Sequence, residues 1–152
     1  MHNLNSTLNF ATIQEAINDV NTSDGDIIRV DAEIYFEHVT VTKSISLIGE
    51  GRESTIIDGS GTGTVVQIIA SNASIINFTI RNGGKEFDPI EHTRNCIRGD
   101  GVNYIKIENN TLTDSAVCAR FSSSSFVNIT NNTLFDATTA GIIGYFSSNI
   151  TI

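Results

Sequence analysis

Tyr104-Ile105-Lys106-Ile107-Glu108-Asn109-Asn110-Thr111-Leu112-Thr113-Asp114 returns 22 residues later as Phe126-Val127-Asn128-Ile129-Thr130-Asn131-Asn132-Thr133-Leu134-Phe135-Asp136. A further copy opens at Asn149-Ile150-Thr151-Ile152, a step of 23, and an earlier one, Asn77-Phe78-Thr79-Ile80, precedes Asn109-Asn110-Thr111-Leu112 by 32. Repetition with a period of 20 to 50 residues marks a solenoid. Each copy alternates apolar and polar residues (Ile105 and Ile107, then Leu112) on either side of an Asn-rich corner, which is the pattern of two short strands joined at a bend. One coil of 22 residues corresponds to about one turn of a parallel β-helix.

Stacking the copies aligns Ile105, Val127 and Ile150 in one column and Ile107, Ile129 and Ile152 in the next. Such columns bury each rung against its neighbours, and burial of apolar surface at roughly 25 cal/mol per Å² is then the main stabilising term. Asn77, Asn109 and Asn131 fall in one column at a corner. Asn tolerates the left-handed region and bonds neighbouring backbone, so these three are expected to form a ladder.

Composition agrees with short strands and tight polar corners: 39% hydrophobic residues, 12 Gly and one Pro in 152 residues. A net charge of −8 with a pI near 4.6, and no compensating Lys/Arg cluster, argues against a phosphate backbone or an anionic membrane surface as partner. No apolar run reaches the roughly 18 residues that span a bilayer, and Met1-His2-Asn3 does not open a signal peptide. The reading is one domain over residues 1–152, with an N-terminal cap at about 6–21 and coils over about 26–152, forming a piece of a longer solenoid.

Phe10 to Val20 reads as the one helix, because Ile13, Ala16, Ile17 and Val20 share a face. Thr12 and Glu15 form a capping box, and Phe10 is placed to pack over the first turn. The first coil of a solenoid needs a cover, which a short amphipathic helix supplies. At the other end, Asn149 to Ile152 presents an open coil, which implies either further coils of a longer solenoid or an end buried against a second copy.

Phe10-Ala11-Thr12-Ile13-Gln14-Glu15-Ala16-Ile17, Gly25-Asp26-Ile27-Ile28-Arg29-Val30, Tyr35-Phe36-Glu37-His38-Val39, Lys43 to Gly51 and Thr55-Ile56-Ile57-Asp58-Gly59 together resemble the N-terminal part of pectin-lyase-like proteins. The resemblance implies an all-β, right-handed, single-stranded parallel β-helix with a short N-terminal capping α-helix. The superfamily it points to includes pectin esterases and lyases, copper-associated periplasmic proteins and many surface proteins of archaea and bacteria, so it implies a fold more sharply than a chemistry. The esterase branch carries catalytic carboxylates on successive coils. The nearest counterparts here, Val117-Cys118-Ala119-Arg120 and Ala140-Gly141-Ile142-Ile143-Gly144, contain none, so esterase activity and a catalytic residue are not expected.

The ten extra residues in the 32-residue step fall in Gly83 to Arg94, the charge-dense stretch that also holds the single Pro. Long excursions of this kind are usually functional or mobile. Arg98 and Arg120, 22 residues apart, should stack, with Phe87, Asp88, Glu91, His92 and Arg94 bordering one shallow groove. There Phe87 would offer an apolar platform, and the two guanidiniums would pair with uronate carboxylates of a polysaccharide or glycan. Alternatively the two arginines neutralise Asp100 and Asp114, or the face belongs to a lyase or glycoside hydrolase. Arg98-Gly99-Asp100 is a chance tripeptide. His2, His38 and His92 lack ligand-like spacing, so neither a metal nor a cofactor is implied.

Cys96 and Cys118 also stand 22 apart, which puts their Cα atoms at about 4.8 Å, inside the roughly 4.4–6.8 Å that a disulfide tolerates. A bridge is expected in an extracellular protein and stacked reduced thiols otherwise. Eight Asn-x-Ser/Thr sequons occur, at Asn5, Asn21, Asn72, Asn77, Asn109, Asn128, Asn131 and Asn149. Asn77, Asn109 and Asn131 serve the corner, which leaves Asn5, Asn21 and Asn72 as the better acceptors. These signals lean towards an extracellular or cell-surface protein whose role is structural or carbohydrate-binding.

Overall fold

The computed structural model describes residues 2–3, 9–86 and 94–152. The chain winds as a parallel β-solenoid of about five turns, each turn laying strands on three faces. The first face stacks Ile27–Val30, Ser46–Gly49, Ser74–Ile76, Asn103–Glu108, Ser125–Thr130 and Ser148–Thr151. The second stacks Ile34–Tyr35, Ile56–Asp58, Thr79–Gly84, the opening of Thr111–Ser122, and Thr133–Leu134. The third stacks Val39–Val41, Val66–Ile68, Asn95–Asp100, the remainder of Thr111–Ser122, and Ala137–Tyr145.

Register follows from which residues must be inside. Ile28, Leu47, Ile75, Ile107 and Ile129 run down the first face, Ile57, Ile80, Leu112 and Leu134 down the second, and Val66, Ile97, Ala119 and Ile142 down the third. A slip of one residue would turn each column to solvent. The expected column of Ile105, Val127 and Ile150 is present. Ile152 departs from expectation: the last strand ends at Thr151, and Ile152 is 77% exposed instead of covering Ile129. Gly99 sits where a Cβ would lie 2.8 Å from the Phe121 ring, so a buried phenylalanine on one rung requires a glycine on the next.

The helix is shorter than its periodicity suggests, Ile13–Asn18, with Ile13, Ala16 and Ile17 buried. Both arms of the capping box form: the Glu15 amide donates to Thr12 Oγ1 and the Thr12 amide to Glu15 Oε2, each at 3.1 Å. It stops early because Asp19 turns extended and accepts from the Asn21 amide at 2.8 Å, which leaves Val20 at 90% exposure rather than on the buried face. Glu37, from the first coil, accepts from the Ile13 and Gln14 amides at 3.0 and 3.1 Å. An acidic cap at the positive end of the helix docks it onto the coil it covers. The strand His2–Asn3 closes the same end by pairing antiparallel with Ile27–Val30.

Corners are set by residues with positive φ, in columns. Asn77, Asn109 and Asn131 have φ of 65°, 55° and 58° and form the expected ladder: Asn109 Nδ2 donates to Asn77 Oδ1 at 2.7 Å and Asn131 Nδ2 to Asn109 Oδ1 at 3.3 Å. Asn72, Tyr104, Phe126 and Asn149 make a second column, φ 58°, 58°, 56° and 53°, in which the Tyr104 and Phe126 rings stack at 4.8 Å.

Candidate functional site

The outer surface of the third face carries the arginine pair. Arg98 and Arg120 are register partners on adjacent rungs, so their backbones stack about 4.8 Å apart along the axis. One carboxylate serves both: Arg98 Nε meets Asp100 Oδ2 at 2.5 Å and Arg120 Nη1 meets Oδ1 at 3.5 Å. Arg120 also lies over the Tyr145 ring, 5.5 Å from its centroid, an attraction between cation and π-face that grows with desolvation. Its side chain is 9% exposed, and Nε is a buried donor with no hydrogen-bond partner among the described residues. Arg120 Nε is thus an unused donor beside Asp100, in a setting where charge-assisted hydrogen bonds to an anion or a hydroxyl are strong.

Asp114 is not part of this cluster, contrary to one of the sequence readings; it pairs with Lys85 Nζ at 3.0 Å. Lys85 also accepts from Thr138 Oγ1 through its carbonyl at 2.5 Å, so the start of the excursion crosses the corner towards later rungs. At its far end Arg94 packs against Gly84, where a Cβ would approach Arg94 Nη1 to 2.7 Å and where φ is +89°. Glycine is the residue that permits both. Arg94 therefore lies at the corner between the second and third faces, and its carbonyl accepts from the Val117 amide at 3.1 Å. Phe87, Asp88, Glu91 and His92 lie outside the described residues, as does Asn5. His38 is held by Thr64 O at 2.9 Å and Thr62 Oγ1 at 3.4 Å, a structural placement.

Cys96 and Cys118 come together on neighbouring rungs, as their spacing requires, and both are free thiols. Cys96 Sγ donates to Ser115 Oγ at 3.1 Å, and Cys118 Sγ to Leu112 O at 3.3 Å. Burial and the neighbouring Cys118 push the Cys96 thiol well up, whereas the hydrogen bond from Cys96 pulls Cys118 down.

Sequence reasoning missed Tyr145 as the cover of Arg120; one rung of offset between Ser122 and Tyr145 was the available signal. It also missed the inward-bonded amides of Asn110, fully buried, and Asn132, partly buried.

No protein-family profile matches the chain. A cell surface glycoprotein of Methanothermus fervidus is 36% identical over 116 residues, a match that covers 76% of this chain and 18% of that one. Among solved structures, pectin methylesterase from Yersinia enterocolitica superposes with a TM-score of 0.59 at 20% identity, covering 79% of this chain and 48% of the enzyme. A pectin methylesterase variant in complex with a hexasaccharide gives 0.57 at 15% identity, over 89% and 62%. PemA from Erwinia chrysanthemi gives 0.53 at 18%, over 78% and 45%. The fold is the pectin-lyase-like parallel β-helix. The chain spans less than two thirds of each of these relatives. The two segments that stand for the esterase carboxylate blocks are adjacent rungs of this β-helix, with Val117 beside Ala140 and Arg120 beside Ile143. Neither holds a carboxylate.

Proposed function

We propose that this chain is part of a cell-surface β-helix protein with a structural role, and that its third face binds acidic glycans without turning them over. The observation that carries the glycan reading is the stacked pair Arg98 and Arg120, both reaching Asp100, with Arg120 Nε lacking a hydrogen-bond partner among the described residues. A sugar carboxylate could approach this pair in the planar geometry that arginine favours. The similarity to a cell surface glycoprotein supports the location. Among the described residues, no helix is long and apolar enough to cross a membrane. Arguing against catalysis, the carboxylate nearest the arginine pair is already paired twice, and the two esterase-like segments offer no carboxylate to act as acid, base or nucleophile.

Titration with oligogalacturonates, followed by calorimetry and by a reducing-sugar assay, tests this reading. Binding without turnover is expected, with Arg98→Ala weakening affinity about tenfold, the loss of one charge-assisted contact, at unchanged melting temperature. Turnover would replace the reading with a polysaccharide-active enzyme. No binding by the parent, together with a lower melting temperature for the variant, would make the arginine pair structural.

A further inference from the structure

We infer that Asn72, Asn128 and Asn149 are N-glycosylated and line one edge of the solenoid, while the ladder asparagines Asn77, Asn109 and Asn131 stay unmodified. The inference rests on the surface location proposed above. All six open Asn-x-Ser/Thr sequons, so the motif alone does not separate them. Their surroundings do. Asn72 and Asn149 belong to one corner column, at φ 58° and 53°, and both are exposed. Asn128 lies two residues beyond the Phe126 member of that column, exposed between buried Val127 and Ile129, so strand alternation turns it outward. None of these three amides makes a side-chain hydrogen bond among the described residues, and each is followed at the second position by a Ser or Thr.

The ladder asparagines share the positive φ and the sequon, and Asn131 is exposed as well, but their side chains are bonded to one another. Asn109 is fixed from both sides, donating to Asn77 and accepting from Asn131. A sugar on its amide nitrogen would have to enter between rungs about 4.8 Å apart and would break the ladder that holds the corner. Asn21 is exposed, but its amide turns back onto Asp19 Oδ1 at 3.0 Å, and it sits at the cap, away from this edge.

A second observation points to the same edge. Between Asn72 and Asn149 in the column stand Tyr104 and Phe126, 58% and 49% exposed and stacked. An exposed aromatic pair on a surface protein invites association. One glycan a rung before Tyr104 and another a rung after Phe126, about 14 Å apart over three rungs, would flank the pair and shield it with hydrophilic mass. In the step itself the Asn amide nitrogen forms a bond to the anomeric carbon of a glycosyl-phosphate donor. The anomeric C–O bond to phosphate breaks with its electron pair staying on the phosphate, and the amide releases one proton, with no change of oxidation state.

The protein isolated from the surface of cells that display it, digested and mapped by mass spectrometry with and without enzymatic deglycosylation, is the test. Glycan mass on the peptides of Asn72, Asn128 and Asn149, and none on those of Asn77, Asn109 and Asn131, is expected. In Asn72→Gln and Asn149→Gln variants one glycan mass should disappear each, and the double variant should bind more of a hydrophobic dye at unchanged melting temperature. A bare residue among the three, or sugar on the ladder, in a chain that an impermeant surface label does reach overturns this inference alone. A chain that the label fails to reach and that carries no sugar overturns both it and the surface reading.

Discussion

Among individual residues, Asn110 holds more of the fold than its polarity suggests. It is fully buried, accepts from the Phe78 amide at 2.9 Å, and donates to Ile75 O at 2.9 Å and to Asn132 Oδ1 at 3.1 Å. Asn132 repeats the arrangement one rung on, donating to Ile107 O at 2.8 Å and accepting from the Asn110 amide at 2.8 Å. Asn110→Ala would leave the buried Phe78 amide unpaired and take one bond from Ile75 O, a loss of about 2 kcal/mol, read in a chain of this size as a melting temperature lower by roughly 6 °C. Asn109→Ala removes only half-exposed ladder bonds and should cost about 1 kcal/mol. The repeated Asn-Asn was legible as a corner. Which Asn turns the backbone and which one feeds the interior was not, because both roles suit the same residue and only the rung above decides. Asp58 offers a check by pH. Burial alone would raise its pKa, but hydrogen bonds from Asn82, the Ser60 amide and Arg81 outweigh it and bring the pKa below 3.8. A group with a depressed folded pKa stabilises above its unfolded value and loses that contribution as pH falls through the folded one. Thermal melts should therefore weaken in the window below about pH 4, and Asp58→Asn should flatten that dependence while lowering stability at neutral pH; an unchanged acid limb would disprove the role.

Among elements, the long strand Thr111–Ser122 ties two faces together, because its opening pairs with the second face and its remainder with the third. The turn between them falls at Asp114, φ 55°, where the register to the preceding rung shifts, and the register to the following rung shifts just after it, between Ser115 and Val117. Just past this bend the two cysteines meet, and their unequal thiols give an ordered reactivity. Cys118, lowered by the hydrogen bond from Cys96, has the larger thiolate fraction, and the thiolate is the species that reacts. Alkylation of the folded protein near pH 8 should mark Cys118 before Cys96 when peptides are mapped over time; the opposite order would mean that access, not ionisation, governs the pair. Periodicity was enough to place the cysteines on one column. The sharing of hydrogen bonds that makes them unequal depends on Ser115, Thr113 and Phe135, and which of these atoms each sulfur meets is set by the bend at Asp114, which the spacing does not show. The helix was likewise legible in kind, and its early end was not, since the extended Asp19 competes locally with one more turn.

For the whole molecule, the two ends of the solenoid are chemically unlike. One edge is covered by the helix and by an antiparallel strand. At the other, the strand Ser148–Thr151 has a partner on one side only, with Phe146 at 95% and Phe135 at 48% exposure nearby. Unpaired strand edges template further pairing, so a polypeptide of residues 1–152 should associate with rising concentration in light scattering. A monomer at every concentration would show that the edge is protected by its own side chains. The solenoid could be read from a handful of repeated residues because every rung solves the same packing problem. The arginine face was read less fully: Asp100 was legible as a partner of the two arginines, whereas Tyr145 reaches Arg120 from the rung beyond it. The step of 32 residues between two rungs that remain in register has a practical meaning. Gly83 is anchored to Ser115 Oγ at 3.0 Å and Arg94 to the Val117 amide at 3.1 Å, so both ends of the excursion are pinned to the same neighbouring rung. Loop closure costs grow only slowly with length, which makes this corner a docking port in the engineering sense: a foreign peptide spliced between the two anchors would be displayed on the side of a rigid rod without disturbing its winding.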